Sequence, residues 1–348
     1  MKSLLFIFLS TIIISAQAQD LNRNKKYFVA AIGFWNVENL YDTINDKWKN
    51  DEDFTPAGIN GWTANRYRTK IDHLSEAISQ MGTDVSPDGL AILGLCEVEN
   101  KSAALDLARA VRLESRNYQV IHIEGPDARG VDPSLLYNPK YFKPKKSVAY
   151  RVKLFPDSNH KTRDILVVSG MFMGETLTVL VNHWPSRRNG EKQSSANRKS
   201  AAKVAKHIAD SITTNNAVAK IIIMGDFNDD PVNQSVKKII GTCGSTNEIT
   251  DTLYFNPMEK PYREGIGTLA WQDSWNLFDQ VLLNHNWLNG DRKAWQYSSV
   301  RVFNPPFLKN DYGRFKGYPL RTYSGPVYTG GYSDHFPVYI LIVKEKSK

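Results

Sequence analysis

The feature that most constrains this chain is the run Ile221-Ile222-Ile223-Met224, closed by Gly225 and followed at once by Asp226, Asn228, Asp229 and Asp230. Four consecutive apolar residues suit a strand covered on both faces, which requires a layer above it and a layer below. The polar residues then stand at the mouth of that strand. Asp226 and Asn228 are two residues apart and project to the same side of an extended chain, where they can share a metal ion, a water or a phosphate oxygen. Asp and Asn are also ordinary turn residues, so this segment alone is open between an Asx-rich turn and a chemical site.

Four other segments repeat the arrangement. The strand-like Phe28–Ile32 leads into Phe34-Trp35-Asn36-Val37-Glu38-Asn39, and Leu90–Leu95 leads into Cys96-Glu97-Val98-Glu99-Asn100. Leu177–Val181 leads into Asn182-His183-Trp184-Pro185-Ser186-Arg187, and Gly331-Tyr332-Ser333-Asp334-His335-Phe336-Pro337 precedes the apolar run Val338–Val343. Histidine handles protons near neutral pH, and a carboxylate beside it can hold a cation or a water.

Taken in order, NVEN, LCEVEN, NHWPSR, GDFND and SDHFP resemble the motif series of the endonuclease/exonuclease/phosphatase superfamily. It includes deoxyribonuclease I-like nucleases, abasic-site endonucleases, inositol polyphosphate 5-phosphatases and neutral sphingomyelinases. The resemblance runs from about Phe28 to Val343. It implies an α/β fold, a two-sheet β-sandwich flanked by helices (a deoxyribonuclease I-like four-layer sandwich), with the motifs meeting at one rim. It also implies a phosphoric ester hydrolase that uses Mg²⁺ or Mn²⁺.

Such a reaction needs charge neutralised on the phosphoryl oxygens and a water oriented opposite the leaving group. On the resemblance, Glu97 is the principal metal ligand, a hard oxygen donor suited to these ions, with Asn36 and Asp334 beside it. Asp226 orients or deprotonates the attacking water, and Asn228 holds a phosphate oxygen. His335 faces the scissile phosphate with Asp279 behind it, fixing its tautomer and favouring its charged form. His183 mirrors His335 across the scissile group, and Asp132 is the candidate carboxylate partner for it. Arg187 and Arg188 lie in the basic segment Pro185–Lys199, between the His183 strand end and a helix, which is open between a surface that receives a phosphate backbone and a solvated basic loop.

The first residues read as a secretory signal peptide: Lys2, the apolar run Leu4–Ile14, then Ala16-Gln17-Ala18. The expected division is therefore a signal peptide over 1–18 and one catalytic domain over 19–348, secreted or periplasmic, monomeric and without stable membrane insertion. The run is short for a membrane span. The net charge of +8, which loss of Lys2 lowers by one, suits polyanionic partners. Cys96 and Cys243 are the two cysteines, and Cys96, inside an expected central strand, reads as a buried free thiol.

Apolar spacing predicts helices around Tyr67–Met81, Ala104–Val111 and Ala201–Ile212, and strands at Phe28–Gly33, Leu90–Glu97, Tyr118–Ile123, Ser134–Tyr137, Ile165–Met171, Leu177–Asn182, Ile221–Gly225, Phe278–Leu283 and Val338–Val343. Asp42–Asn60 and Asn304–Gly331 read as long loops. The second interleaves Tyr312, Phe315, Tyr318, Tyr323 and Tyr328 with Lys309, Arg314, Lys316 and Arg321, a composition that can stack bases and hold phosphates. The leading expectation is an endonuclease on nucleic acid. The alternative is a phosphatase or phosphodiesterase on inositol phosphates or phospholipid head groups, weakened by the lack of a WCDR-like string and of an obvious apolar hairpin. A binding module without catalysis sits poorly with the full motif set.

Overall fold

The computed structural model describes residues 25–154, 161–188 and 190–346, so the expected signal peptide lies outside the described residues. Two mixed sheets pack face to face. The first has six strands, in spatial order Gln296–Val302, Val338–Glu345, Tyr27–Leu40, Leu90–Val98, Asp132–Tyr137 and Gln119–His122. The second has seven, in order Phe142–Tyr150, Ile165–Phe172, Glu175–His183, Lys220–Asp226, Asp279–Leu283, Tyr254–Phe255 and Thr242–Cys243.

Their facing side chains form one apolar layer, with Ile32, Phe34 and Ile340 from the first sheet and Val179, Ile222 and Met224 from the second. The continuous apolar runs follow from cover on both sides. The helix Ala64–Gln80 lays Leu74, Ala77 and Ile78 over the outer face of the first sheet, and Glu191–Asn215 lays Ala201, Ala205 and Ile208 over the outer face of the second. Sheets and helices thus make the α/β sandwich the motifs implied. Thr63 begins the first helix by accepting the amide of Arg66, and Asn100 begins Lys101–Ala108 by accepting that of Ala103.

Topology explains why the motifs meet. Tyr27–Leu40 runs parallel to Leu90–Val98, and Glu175–His183 parallel to Lys220–Asp226, so four motif-bearing C-terminal ends share one rim. Val338–Glu345 and Asp279–Leu283 run antiparallel to those neighbours and bring their N-terminal ends to the same rim. In register, His183 lies opposite Asp226, and Asp226 opposite Asp279. Two glycines permit the close packing beneath. A Cβ at Gly225 would stand 2.4 Å from the Asn182 carbonyl oxygen, and one at Gly94 would stand 2.6 Å from the Met224 sulfur of the facing sheet.

Several elements differ from the sequence expectation. The first strand continues to Leu40, so Asn36–Asn39 lies within it rather than after it. The basic segment is a loop only at its start: the helix begins at Glu191, and Arg198 is fully buried against Asp229. Phe142–Tyr150 and Gln296–Val302 are strands with no apolar run to announce them. The first is an edge strand that keeps three lysines and a proline, as edges do. The Asn304–Gly331 loop contains a short two-stranded turn, Tyr323–Ser324 with Val327–Tyr328. Both cysteines are free and buried. No helix among the described residues is long and apolar enough to cross a membrane.

Candidate active site

Backbone irregularity aims the side chains at the rim. The pairing between the first two parallel strands slips between Asn36 and Leu40, and that between Leu90–Val98 and its antiparallel neighbour slips between Leu95 and Val98. At these bulges Glu38, Asn39 and Glu97 take positive φ values of 50°, 55° and 63°, and Asn228 takes 50° beyond the GDFN strand. Non-glycine residues held there store about 1–3 kcal/mol each and gather at functional sites.

His335 and Asp279 form the tightest ionic contact at the rim. Nδ1 of His335 donates to Oδ2 of Asp279 at 2.7 Å, and Asp279 is fully buried. Burial alone would favour neutral imidazole, but Asp279, Asp334 and Asp226 raise its pKa well above the ordinary histidine value. These carboxylates favour the protonated, cationic form of His335. Its Nε2 lies 3.9 Å from Oδ1 of Asp334 and 4.0 Å from Oδ2 of Asp226. The Trp35 indole donates to the His335 carbonyl at 2.8 Å. Ser333 Oγ accepts the His335 amide and donates to the Asn36 carbonyl.

Asp226 is buried and sits between both histidines and Asn36. Oδ2 accepts from Nδ2 of Asn36 at 3.0 Å, and Oδ1 accepts the Asn228 amide at 2.9 Å. Burial, and the negative charge of Asp279, push its pKa above the usual carboxylate range against the pull of His335. Such a carboxylate can take a proton near neutral pH.

Glu97 behaves oppositely. Burial opposes its ionisation, but the Arg129 guanidinium overrides this and holds the carboxyl well below the usual range. Arg129 Nη1 approaches Oε1 at 3.3 Å, while the Asn39 amide donates to Oε2 at 2.9 Å. Arg129 also donates to the side chain of Asn39. His183 lies between the two acids, with Nε2 3.8 Å from Glu97 and 3.7 Å from Asp226. Burial, aided by the nearby Arg163, lowers its pKa well below the ordinary value and favours the neutral imidazole.

Other expected residues fall elsewhere. Asp132 does not pair with His183. Its Oδ2 accepts the Gly125 amide at 2.7 Å, and Nδ1 of His183 has no partner among the described residues. Arg187 is not free to take phosphate. It donates to the Asn228 carbonyl at 2.9 Å, pairs with Asp230 at 3.1 Å and Glu191 at 3.0 Å, and lies over the Phe278 ring. Three carboxylates, Asp229 and Asp230 of the GDFND turn and Glu191 at the helix start, have taken it into the fold. Arg188 is exposed. Asp334 is held by Arg321 at 2.8 Å, leaving its second oxygen toward His335, and Asn228 Nδ2 donates to the Trp184 carbonyl.

Arg129 and Arg321 carry site electrostatics that the sequence reading did not assign to them. Arg129 lies three residues before Asp132 and pairs with Glu97. Arg321 belongs to the basic–aromatic loop, and it bridges Asp334 and Glu38.

A family model of the endonuclease/exonuclease/phosphatase family matches residues 31–344. The chain belongs to that family. Its members are metal-dependent phosphoesterases, and this chain is an enzyme of that class. No protein of curated function matches the sequence. Among solved structures, the fold resembles TDP2 from D. rerio complexed with single-strand DNA product, at 16% identity, covering 90% of this chain and 98% of that one, TM-score 0.53. It resembles a mannosyl-6-phosphatase from Bacteroides thetaiotaomicron at 14% identity, 90% and 99% coverage, TM-score 0.53. It also resembles the human Nocturnin catalytic domain with bound sulfate, at 14% identity, 93% and 98% coverage, TM-score 0.51.

The site's donors fit a divalent metal ion of the family's type. Glu97 stays ionised at a fixed bulge, and Asn36 and Asp226 add hard oxygen donors to the same buried cluster.

Proposed function

We propose that this chain is an exported, Mg²⁺- or Mn²⁺-dependent phosphodiesterase that hydrolyses nucleic acid, with one catalytic domain following a signal peptide at residues 1–18. Glu97 and Asn36 would hold the cation, which supplies charge neutralisation on the phosphoryl oxygens when bound. Asp226 accepts the proton of the attacking water, its carboxylate oriented by Asn36 and by the Asn228 amide. Cationic His335 donates from Nε2 to a non-bridging phosphoryl oxygen, while Asp279 secures its tautomer and charge. Neutral His183 offers a hydrogen bond without adding positive charge beside the metal carboxylate. Buried, preoriented donors of this kind are worth more than the same groups in water.

The observation that carries the choice of nucleic acid is an aromatic and basic shelf leading away from His335. Phe336 stacks with Trp275, centroids 6.1 Å apart and planes 19° apart. Trp275 meets Tyr318 edge-on at 5.5 Å, and Tyr318 meets Phe315 at 5.8 Å. Trp271 is 65% exposed and Tyr312 82% exposed on the same two segments, the strand pair Leu269–Trp271 and Ser274–Asn276 and the Asn304–Gly331 loop. Lys309 lies over Phe336 and Arg314 over Phe315. Phe336 is buried, whereas Phe315 beside Arg314 is half exposed, and exposed rings with cations on the same loop suit bases and their phosphates; the basic net charge agrees. The complex of the D. rerio relative with single-strand DNA product supports the same reading.

The deciding experiment offers purified residues 19–348 with Mg²⁺ to DNA, RNA, inositol phosphates, sphingomyelin and a sugar phosphate side by side. Cleavage of nucleic acid is expected. Phosphate release from a small ester with every nucleic acid left intact overturns the reading in favour of a phosphatase.

A further inference from the structure

Cys96 has no part in the chemistry above, yet it lies against the groups that do. Its strand position pairs with Asn36. Its Sγ, a ring nitrogen of His183 and a carboxylate oxygen of Asp226 all lie within 4.8 Å of one another. The three residues come from three strands and from both sheets, and all are buried.

Two observations mark this group as more than packing. Nδ1 of His183 is buried with no partner among the described residues, although buried imidazole nitrogens are normally satisfied. The donor set also differs in kind from that around Glu97. One sulfur, one nitrogen and one oxygen is the ligand choice of a borderline-soft ion such as Zn²⁺, whereas Mg²⁺ takes oxygen.

We propose that Cys96, His183 and Asp226 form a second, zinc-selective site sharing Asp226 with the catalytic centre, and that Zn²⁺ bound there shuts the enzyme off. On binding, a Zn–S bond forms while the thiol proton leaves to solvent, with no change of oxidation state. Asp226 is drawn from its bond with Asn36 and from the water it would activate, and His183 is removed from phosphate. The binding stands on geometry alone; the shut-off rests on the catalytic reading of Asp226.

The binding test is zinc-edge X-ray absorption on the full chain carrying Cys243→Ser, in which Cys96 is the sole cysteine, with one equivalent of Zn²⁺. A sulfur scatterer at about 2.3 Å is expected, and a shell of nitrogen and oxygen alone overturns the site. The functional test titrates Zn²⁺ against Mg²⁺-activated enzyme. Cys96→Ser should need at least tenfold more Zn²⁺ for half inhibition than the unaltered chain, with the zinc-free rate unchanged and Cys243→Ser behaving like the unaltered chain. Equal sensitivity of the unaltered chain and Cys96→Ser overturns the shut-off. A sulfur shell without inhibition keeps the zinc site and overturns the role given to Asp226.

Discussion

His335 and Asp279 are joined at 2.7 Å across two sheets, with Asp279 fully buried beneath the imidazole. The pair sets the charge the active rim presents to phosphate. A buried cation held by a buried anion is a fixed donor that needs no rearrangement when substrate arrives.

Removing the anion while keeping the shape tests this. Asp279→Asn should lower kcat by about a hundredfold or more, the scale of lost acid–base and charge assistance, and move the alkaline limb of the kcat/KM profile to lower pH. The stability sign follows the direction of the shift. The His335 pKa is raised in the folded state, so its contribution is full below the unfolded value of about 6.5 and is lost as pH rises through the folded value. The stability gap between the unaltered enzyme and Asp279→Asn should therefore be widest at acid pH and close on the alkaline side, read by denaturant unfolding across pH. A pH-independent gap would show that Asp279 acts by packing alone.

Glu97 is held ionised by Arg129. Glu97→Gln keeps the shape and removes the charge, so the fold should survive while cation affinity, read by calorimetric titration with Mn²⁺, drops at least tenfold and turnover collapses. Undiminished hydrolysis in excess chelator would remove the cation from the chemistry.

What the sequence made legible follows from what burial does to patterns. Runs such as Ile221–Met224 and Val338–Val343 read as covered strands with polar residues at their ends. Pattern alone gave mixed α/β and no strand order, so the grouping of Asn36, Glu97, Asp226, Asp279 and His335 at one rim came from the family resemblance. The edge strand Phe142–Tyr150 was invisible because an edge keeps lysines and a proline. Arg129 and Arg321 were not assigned because long side chains reach across loops whose course no local pattern records. Arg187 was misjudged for the same reason. Charge is visible in a sequence, whereas the carboxylates that neutralise it become visible only in space.

Arg187 and Arg188 should consequently part company on mutation. Arg187→Glu sets a new anion among Glu191, Asp229 and Asp230, and should destabilise the fold by about 3 kcal/mol, the low end for a broken partly buried pair. Activity on every substrate should fall with it. Arg188→Glu, at an exposed position, should leave unfolding unchanged. Thermal melts of the two variants decide the matter, and identical melts would mean that Arg187 is not bracing the GDFND turn.

The shelf beside His335 predicts how binding divides between rings and charges. Trp271 is mostly exposed and belongs to the strand pair next to Phe336 rather than to the metal cluster, so Trp271→Ala should leave kcat on a small chromogenic phosphodiester unchanged. On single-stranded nucleic acid it should raise KM about tenfold, since one base stacked on an aromatic ring is worth about 1–3 kcal/mol. Charge acts separately. Lys309, Arg314 and Arg188 would each displace a counterion from a polymer lying across the rim, so affinity should fall steeply with salt, and charge reversal at Arg188 or Arg314 should flatten that slope by about one unit per neutralised contact. The ring variant should keep the wild-type slope while losing affinity. A Trp271→Ala enzyme that bound every strand normally, or a salt slope no steeper for a long oligonucleotide than for a dinucleotide, would place the polymer elsewhere on the surface.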